Sequence, residues 1–260
     1  MADFTSRLTN AVALLRDDQF LDEIDKRINM VATATTPSID ILAGATTMQT
    51  ARRIAVLAGS FNPPTNAHIA LADAAKATGL FDVIVWSISR HTVDKEQIEQ
   101  AQLAMRLVTL IAMTQQRSHE AVAIINRGLY VDQAATIHTA FPQLTELTFI
   151  LGFDKIVQLL DARYYVDRTA ALTELFAQAR VSVAPRGGDD EKALYDLIDR
   201  PENQKWASFI SFLPLPAHVR QLSSSAIRQQ PDPVSQTHDN IPPESLALIQ
   251  SGAYDSTDTQ

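Results

Sequence analysis

Short apolar segments alternate with helical segments through the middle of this chain, and this alternation restricts its fold more than any other feature. The apolar segments are four or five residues long and are apolar on both faces. Such strands are typical of a parallel sheet that helices cover on both sides. The predicted strands are 54–57, 83–86, 121–125, 147–151, 181–184 and 209–213; the predicted helices are 67–78, 96–116, 131–140, 154–160, 169–179 and 190–198. The sequence therefore predicts an α/β fold.

The two ends differ in composition from the middle. Residues 5–28 carry apolar side chains at helical spacing, which predicts one amphipathic helix or a broken pair. Residues 31–50 are rich in Ala and Thr and are interpreted as a linker. Residues 231–243 contain four prolines, which exclude a regular helix, and a short helix is predicted over 244–250. The expected parts are a helical extension with a linker (1–50), an α/β domain (51–230) and a Pro-rich segment with a polar tail (231–260).

Acidic residues accumulate at those two ends. The formal net charge of the chain is −8, whereas residues 51–228 hold 18 acidic and 18 basic residues. An acidic chain repels polyanions, which argues against sequence-independent binding to nucleic acid. The balanced central part can still hold a small anionic ligand in a pocket.

Several classes of protein are excluded by what the sequence lacks. The chain contains no cysteine, which rules out a disulfide scaffold, a thiolate nucleophile and a cysteine-bound metal. No apolar run approaches the roughly 20 residues that span a bilayer, so no membrane association is expected. Residues 1–10 lack the basic and apolar regions of a secretory signal, and we expect a cytoplasmic location.

The first predicted strand leads into a loop with candidate ligand contacts. Residues 58–68 read A-G-S-F-N-P-P-T-N-A-H, which matches neither a Walker A loop nor G-x-G-x-x-G. Gly59 lets the backbone approach a ligand at the sheet edge where α/β proteins bind nucleotides. His68 falls in the first turn of the next helix, where an imidazole can donate to a phosphate oxygen. Taken alone, such a histidine is more often a capping residue than a ligand contact.

A second segment near the end of the predicted sheet has complementary chemistry. Residues 223–228 read S-S-S-A-I-R and open a short helix. Its hydroxyls can cap the helix or donate to a ligand, and Arg228 lies about one turn beyond Ser224, within reach of a phosphate. By itself this segment is an ordinary helix N-terminus more often than a binding site.

Together the two segments resemble the paired signatures of the nucleotidylyltransferase superfamily. The first is similar to its (H/T)-x-G-H motif and the second to its I-S-S-T-x-I-R motif, and the resemblance extends over residues 52–230. Within the superfamily, the Ser-Phe-Asn-Pro sequence resembles nicotinamide and nicotinic acid mononucleotide adenylyltransferases. Ala67 replaces the glycine common before the histidine, and Ser225 replaces the usual threonine. The resemblance implies a Rossmann-like nucleotidylyltransferase fold.

The resemblance also implies roles for individual residues. His68 and Arg228 are the expected catalytic residues. The residues expected to bind ATP are Gly59, Ser60, Phe61, Thr65, His68, Gly152, Asp154, Ser224, Ser225, Ala226, Ile227 and Arg228. The residues expected to bind the second substrate are Ser60, Phe61, Lys95, Tyr130 and Arg186. Solvated-surface roles are the alternative for Lys95 and Arg186, a plain helix cap is the alternative for Asp154, and the pattern around Tyr130 is atypical.

The implied reaction transfers AMP from ATP to the phosphate of a pyridine mononucleotide. The attacking phosphate oxygen is already ionised, so no protein nucleophile or metal-ligand cluster is required, and Mg²⁺ is expected to arrive with ATP. The expected partners are ATP and the mononucleotide, and a homo-oligomer is one option. The alternatives are another adenylyl- or cytidylyltransferase of the same fold, a nucleotide-binding module without turnover, and an assembly role for the N-terminal helix. The sequence does not distinguish nicotinamide from nicotinic acid mononucleotide.

Overall fold

A mixed sheet forms the centre of the molecule. The computed structural model describes residues 3–90, 100–188, 190–229 and 240–251. Within them the sheet has seven strands: β1 (Ile39–Ala43), β2 (Arg53–Ala58), β3 (Val83–Ser89), β4 (Glu120–Ile125), β5 (Glu146–Gly152), β6 (Arg180–Ala184) and β7 (Ile210–Phe212). Their order is β1-β4-β3-β2-β5-β6-β7. Strands β2 to β7 run parallel, and only β1 pairs antiparallel, with β4.

Helices cover both faces of this sheet. They are α1 (Phe4–Leu15), α2 (Asp18–Thr33), α3 (Ala45–Thr50), α4 (Asn66–Ala77), α5 (Gln100–Thr114), α6 (Tyr130–Ala140), α7 (Phe153–Leu159), α8 (Arg168–Gln178), α9 (Glu191–Ile198), α10 (Ser224–Arg228) and α11 (Pro243–Gln250). Short 3-10 helices span Ala162–Tyr164, Gln204–Phe209 and Ala217–Val219. Apolar residues of α1, α2, α4, α5 and α11 pack on one face. Those of α3, α6, α7, α8 and α9 pack on the other. Among the described helices, none has both the length and the apolar character needed to cross a membrane.

The α/β architecture predicted from the apolar segments is confirmed. Each predicted strand is present, and each predicted helix is present where the structure describes it; the described boundaries agree within two residues except at the end of β3, which continues three residues further, to Ser89. The N-terminal segment is the broken pair of helices. The break lies at Asp17, whose carboxylate accepts a hydrogen bond from the Phe20 amide at 3.0 Å and so caps the second helix.

The linker interpretation of residues 31–50 is wrong. This range contains the end of α2, the edge strand β1 and the helix α3. The strand alternates apolar and polar positions at Ile39, Asp40 and Ile41, and the Asp40 carboxylate accepts two hydrogen bonds from Arg27 of α2, at 2.6 and 2.7 Å. One consequence is that the sheet is not wholly parallel, because its edge strand is antiparallel.

Helices α1, α2 and α11 pack into the body of the molecule. Ala11 and Leu15 of α1 and Ile28 of α2 are buried in the same hydrophobic cluster as Leu57 of β2 and Leu248 of α11. The two N-terminal helices and α11 therefore pack around α5, on the side of the sheet that α5 covers.

Candidate functional site

A cavity opens where the strand order changes direction. Strands β2 and β5 are neighbours, and the chain continues from β2 toward β3 and β4 but from β5 toward β6 and β7. In open α/β sheets, ligands bind outside the carboxyl ends of the strands at such a switch point. The cavity measures about 530 Å³ and is lined by residues that follow β2, β5, β6 and β7.

Most of the site residues predicted from the sequence line this cavity. They are Gly59, Ser60, His68, Gly152, Asp154, Arg186, Ser224, Ser225 and Arg228. Residues separated by more than 160 positions are therefore brought to one edge of the sheet. The two signature segments lie on the same cavity.

The loop after β2 folds over a buried aromatic ring. Phe61 is 1% exposed, has a φ of 44°, and packs its ring against Trp86, with 5.5 Å between ring centroids. A Cβ at Gly59 would lie 3.1 Å from the Phe61 ring, closer than ordinary van der Waals contact. Gly59 therefore lets the loop backbone lie directly on that ring. The Phe61 side chain packs beneath the loop, against Trp86, and does not line the cavity.

His68 is held by the first turn of α4. Its Nδ1 accepts a hydrogen bond from the Thr65 amide at 3.0 Å and lies 2.8 Å from the Thr65 hydroxyl oxygen. A backbone amide can only donate, so Nδ1 is the unprotonated nitrogen and the proton of the neutral ring is on Nε2. Burial, aided by the positive charge of Arg186, lowers the pKa of His68 from 6.5 to about 4. At neutral pH the imidazole is an uncharged donor.

Asp154 and Arg186 both line the cavity and form an ion pair with each other. Asp154 lies in the first turn of α7, and Arg186 follows β6, the neighbour of β5. Both side chains are about half exposed, so a ligand has access to each. The pair offers an acceptor and a donor within hydrogen-bonding distance of each other.

The second signature segment is bonded to the first. The Ser224 hydroxyl donates to the Pro63 carbonyl at 2.7 Å, and Arg228 Nη1 donates to the Asn62 carbonyl at 2.7 Å. Ser223 caps α10 by accepting from the Ala226 amide at 3.1 Å. Ser224 and Arg228 thus brace the loop after β2.

The remaining predicted residues lie elsewhere. Thr65 and Ile227 are buried, and Ala226 is exposed outside the cavity lining. Tyr130 packs edge-on against Phe149, with 5.0 Å between ring centroids, on the face of the sheet opposite Ile150. Burial raises the pKa of the Tyr130 hydroxyl, which stays protonated. Lys95 lies outside the described residues.

Sequence reasoning missed a basic and aromatic part of the lining. Lys155, Arg163 and Tyr164 follow β5, and Arg220 precedes the second signature segment. Arg163 pairs with Asp161 at 2.6 Å, and its guanidinium lies 5.9 Å from the Tyr164 ring centroid. The adjacent Arg163 and Tyr164 could have been predicted as lining residues, because both follow a strand that ends at the predicted binding edge.

The fold is that of an α/β protein of the nucleotidylyltransferase type. The chain belongs to the cytidylyltransferase-like family, whose model matches residues 56–230.

Comparisons with individual proteins agree with this family. A Schizosaccharomyces pombe protein, provisionally named a nicotinamide mononucleotide adenylyltransferase, is 27% identical over 150 residues; the match covers 57% of this chain and 58% of that protein. The chain thus matches little more than half the length of this relative. Two structures of the Plasmodium falciparum nicotinic acid mononucleotide adenylyltransferase, complexed with NaAD and with APC, share the fold. Their TM-scores are 0.56 and 0.54 at 19% and 18% identity, and each match covers 79% of this chain and 98% of the other.

Proposed function

We propose that the protein transfers the AMP group of ATP to the phosphate of nicotinamide mononucleotide or nicotinic acid mononucleotide and releases pyrophosphate. The observation that carries the proposal is the meeting of the two signature segments at one cavity, through the bonds of Ser224 and Arg228 to the loop after β2. Family membership and the names of the relatives support the same reaction.

The proposed chemistry needs positioning and charge neutralisation rather than a protein nucleophile. A phosphate oxygen of the mononucleotide attacks the α-phosphorus of ATP, the bond from the α-phosphorus to the bridging oxygen breaks, and pyrophosphate leaves with that oxygen. His68 donates its Nε2 proton in a hydrogen bond to a phosphate oxygen and needs no change of protonation state. Arg228 and the exposed Ser225 hydroxyl are proposed to bind the triphosphate.

We propose that Asp154 and Arg186 separate when the substrates bind, and that each then contacts a different substrate. Asp154 is the acceptor that we assign to ribose hydroxyls, and Arg186 is the donor that we assign to the mononucleotide phosphate. Ligand contacts would then replace a partly exposed ion pair, which by itself contributes little free energy. Lys95 and Tyr130 remain proposed contacts of the mononucleotide.

ATP is proposed to bind as its magnesium complex. The carboxylates of the cavity lining, Asp154 and Asp161, both pair with arginines. They do not form a cage for the ion, so phosphate oxygens and water are the ligands we expect around Mg²⁺.

One assay tests the proposed function. Purified protein is incubated with ATP, Mg²⁺ and either mononucleotide, and dinucleotide and pyrophosphate are measured. Dinucleotide formation with at least one mononucleotide is expected. Pyrophosphate release only with phosphopantetheine, or with CTP and an alcohol phosphate, would assign another transferase of the fold. Binding of ATP without turnover on any acceptor would assign a nucleotide-binding module.

A further inference from the structure

The loop after β2 is held through three successive carbonyl groups. Pro63 and Pro64 have no backbone N–H, so this part of the loop cannot be fixed by its own amide donors. Arg228 donates to the Asn62 carbonyl and Ser224 to the Pro63 carbonyl, each at 2.7 Å. The third donor is the Ser245 hydroxyl, which lies 2.8 Å from the Pro64 carbonyl oxygen.

This third donor lies outside the residues that define the family. The family match ends at residue 230, and Ser245 is in the first turn of α11. Ser245 is fully buried, and the Asn240 carbonyl just before α11 accepts a second bond, from the Asn66 amide at 2.9 Å. These two bonds flank Thr65, whose amide orients His68.

Helix α11 is in turn fixed by the N-terminal helix. Glu244 is 1% exposed, and its two carboxylate oxygens accept hydrogen bonds from Arg7 Nε and Nη2 at 2.9 and 2.8 Å. Leu8 of α1 packs against a small cluster that contains Leu246 and Ile249 of α11. A continuous set of contacts therefore runs from α1 through α11 to the loop that carries His68.

From these contacts we infer that Ser245 is a positioning residue for the proposed adenylyl transfer. Its hydroxyl fixes the Pro64 carbonyl and thereby the Thr65 amide and the His68 imidazole. The expected effect of Ser245 on turnover rests on the proposed function, whereas its expected effect on the loop does not. The segments on either side of the family match thus complete the nucleotide site.

Loss of the Ser245 hydroxyl would leave the Pro64 carbonyl buried without this donor. A buried acceptor without a partner favours conformations in which it reaches water, so the loop would open more often. Displacement of a catalytic group by about 1 Å can cost about 10²-fold in rate. We expect a smaller loss, because Arg228, Ser224 and the Asn240 carbonyl still hold the loop.

The test compares Ser245→Ala with Ser251→Ala in the full chain. Ser251 caps the other end of α11, and its hydroxyl donates to the Leu248 carbonyl at 2.7 Å, away from the loop. The first readout is hydrogen exchange of a peptide spanning residues 59–69, without nucleotide. Exchange is expected to be about tenfold faster in Ser245→Ala, the change that one net hydrogen bond implies, and unchanged in Ser251→Ala.

The second readout separates kcat from KM. Ser245→Ala is expected to lower kcat about tenfold and to change the KM for ATP less than about threefold, because the loop misplaces His68 without removing a phosphate contact. Ser245→Cys keeps the size of the side chain with a weaker donor, and an intermediate kcat is expected. Exchange and kcat like those of the unsubstituted protein would overturn the inference. If the protein turns over neither mononucleotide, the exchange measurement still decides whether Ser245 holds the loop.

Discussion

The two ring nitrogens of His68 have separate tasks. Nδ1 accepts from the Thr65 amide and fixes the ring on the first turn of α4, while Nε2 is left as the donor of a ring that lines the cavity. The two interpretations of His68, as a capping residue and as the ligand contact proposed here, are therefore compatible.

Replacement of His68 tests that second task. We expect His68→Ala to lower kcat by about 10²–10³, the usual cost of removing one donor to a transition-state oxyanion. His138→Ala is the control, because His138 bonds the Gln178 carbonyl on the other face of the sheet. Steady-state kinetics measure the effect, and circular dichroism verifies folding. Near-normal turnover of folded His68→Ala would contradict the assignment.

The low pKa of His68 also makes stability depend on pH. The unfolded chain binds this proton near pH 6.5 and the folded protein only near pH 4, so acidification between these values favours unfolding. The contribution of neutral His68 to the free energy of unfolding is fully present above pH 6.5, and roughly 2–3 kcal/mol of stability is lost by pH 4. Urea unfolding of the natural protein and of His68→Gln at pH 7 and pH 4.5 measures it. The natural protein should lose more stability than the variant; equal losses would show that His68 is not buried in its neutral form.

At the scale of elements, the edge strand β1 depends on one glycine. Gly44 has a φ of +77°, and a Cβ there would lie 2.6 Å from the Glu120 carbonyl oxygen of β4. Backbone contacts of this kind cannot be relieved by a side-chain rotation. Gly44 therefore lets the turn after β1 lie against the backbone of β4, the strand with which β1 pairs.

We expect Gly44→Ala to lower the free energy of unfolding by about 3 kcal/mol or more, since strain at positive φ adds to a backbone clash. Gly79→Ala is the matched control, because Gly79 also has a positive φ, +67°, but nothing lies within 4 Å of a Cβ there. That variant should lose only about 1 kcal/mol. Chemical denaturation measures both, and equal losses would argue against the close contact with β4.

The elements most evident from the sequence are those with regular apolar patterns. Six strands and the helices between them follow from short apolar runs and helical spacing, and the turn position of His68 follows from the same spacing. Strand β1 was missed because the Ala- and Thr-rich composition around it outweighed its short alternation. Arg220 and Ser245 were missed because tertiary contacts alone bring them to the cavity and its loop.

At the scale of the whole molecule, the partly exposed Arg7 pairs with the buried carboxylate of Glu244, which joins residues 237 positions apart. Removing one partner of a buried pair leaves an uncompensated charge, whereas removing both does not. Arg7→Gln is therefore expected to cost about 2–4 kcal/mol of stability, and the double variant Arg7→Gln/Glu244→Gln to recover part of that loss. Urea unfolding of the single and double variants measures the coupling. Additive losses would show that the pair is not coupled across the two helices.

The bond of Ser245 to Pro64 also has a consequence for protein synthesis. A ribosome adds residues in order, and strands β2 to β7 precede Ser245 in the chain. A nascent chain can begin to pair those strands early, but the loop carrying His68 gains its third carbonyl donor only after translation has passed residue 245. The cavity with all three carbonyl contacts in place therefore forms only after residue 245 has been translated.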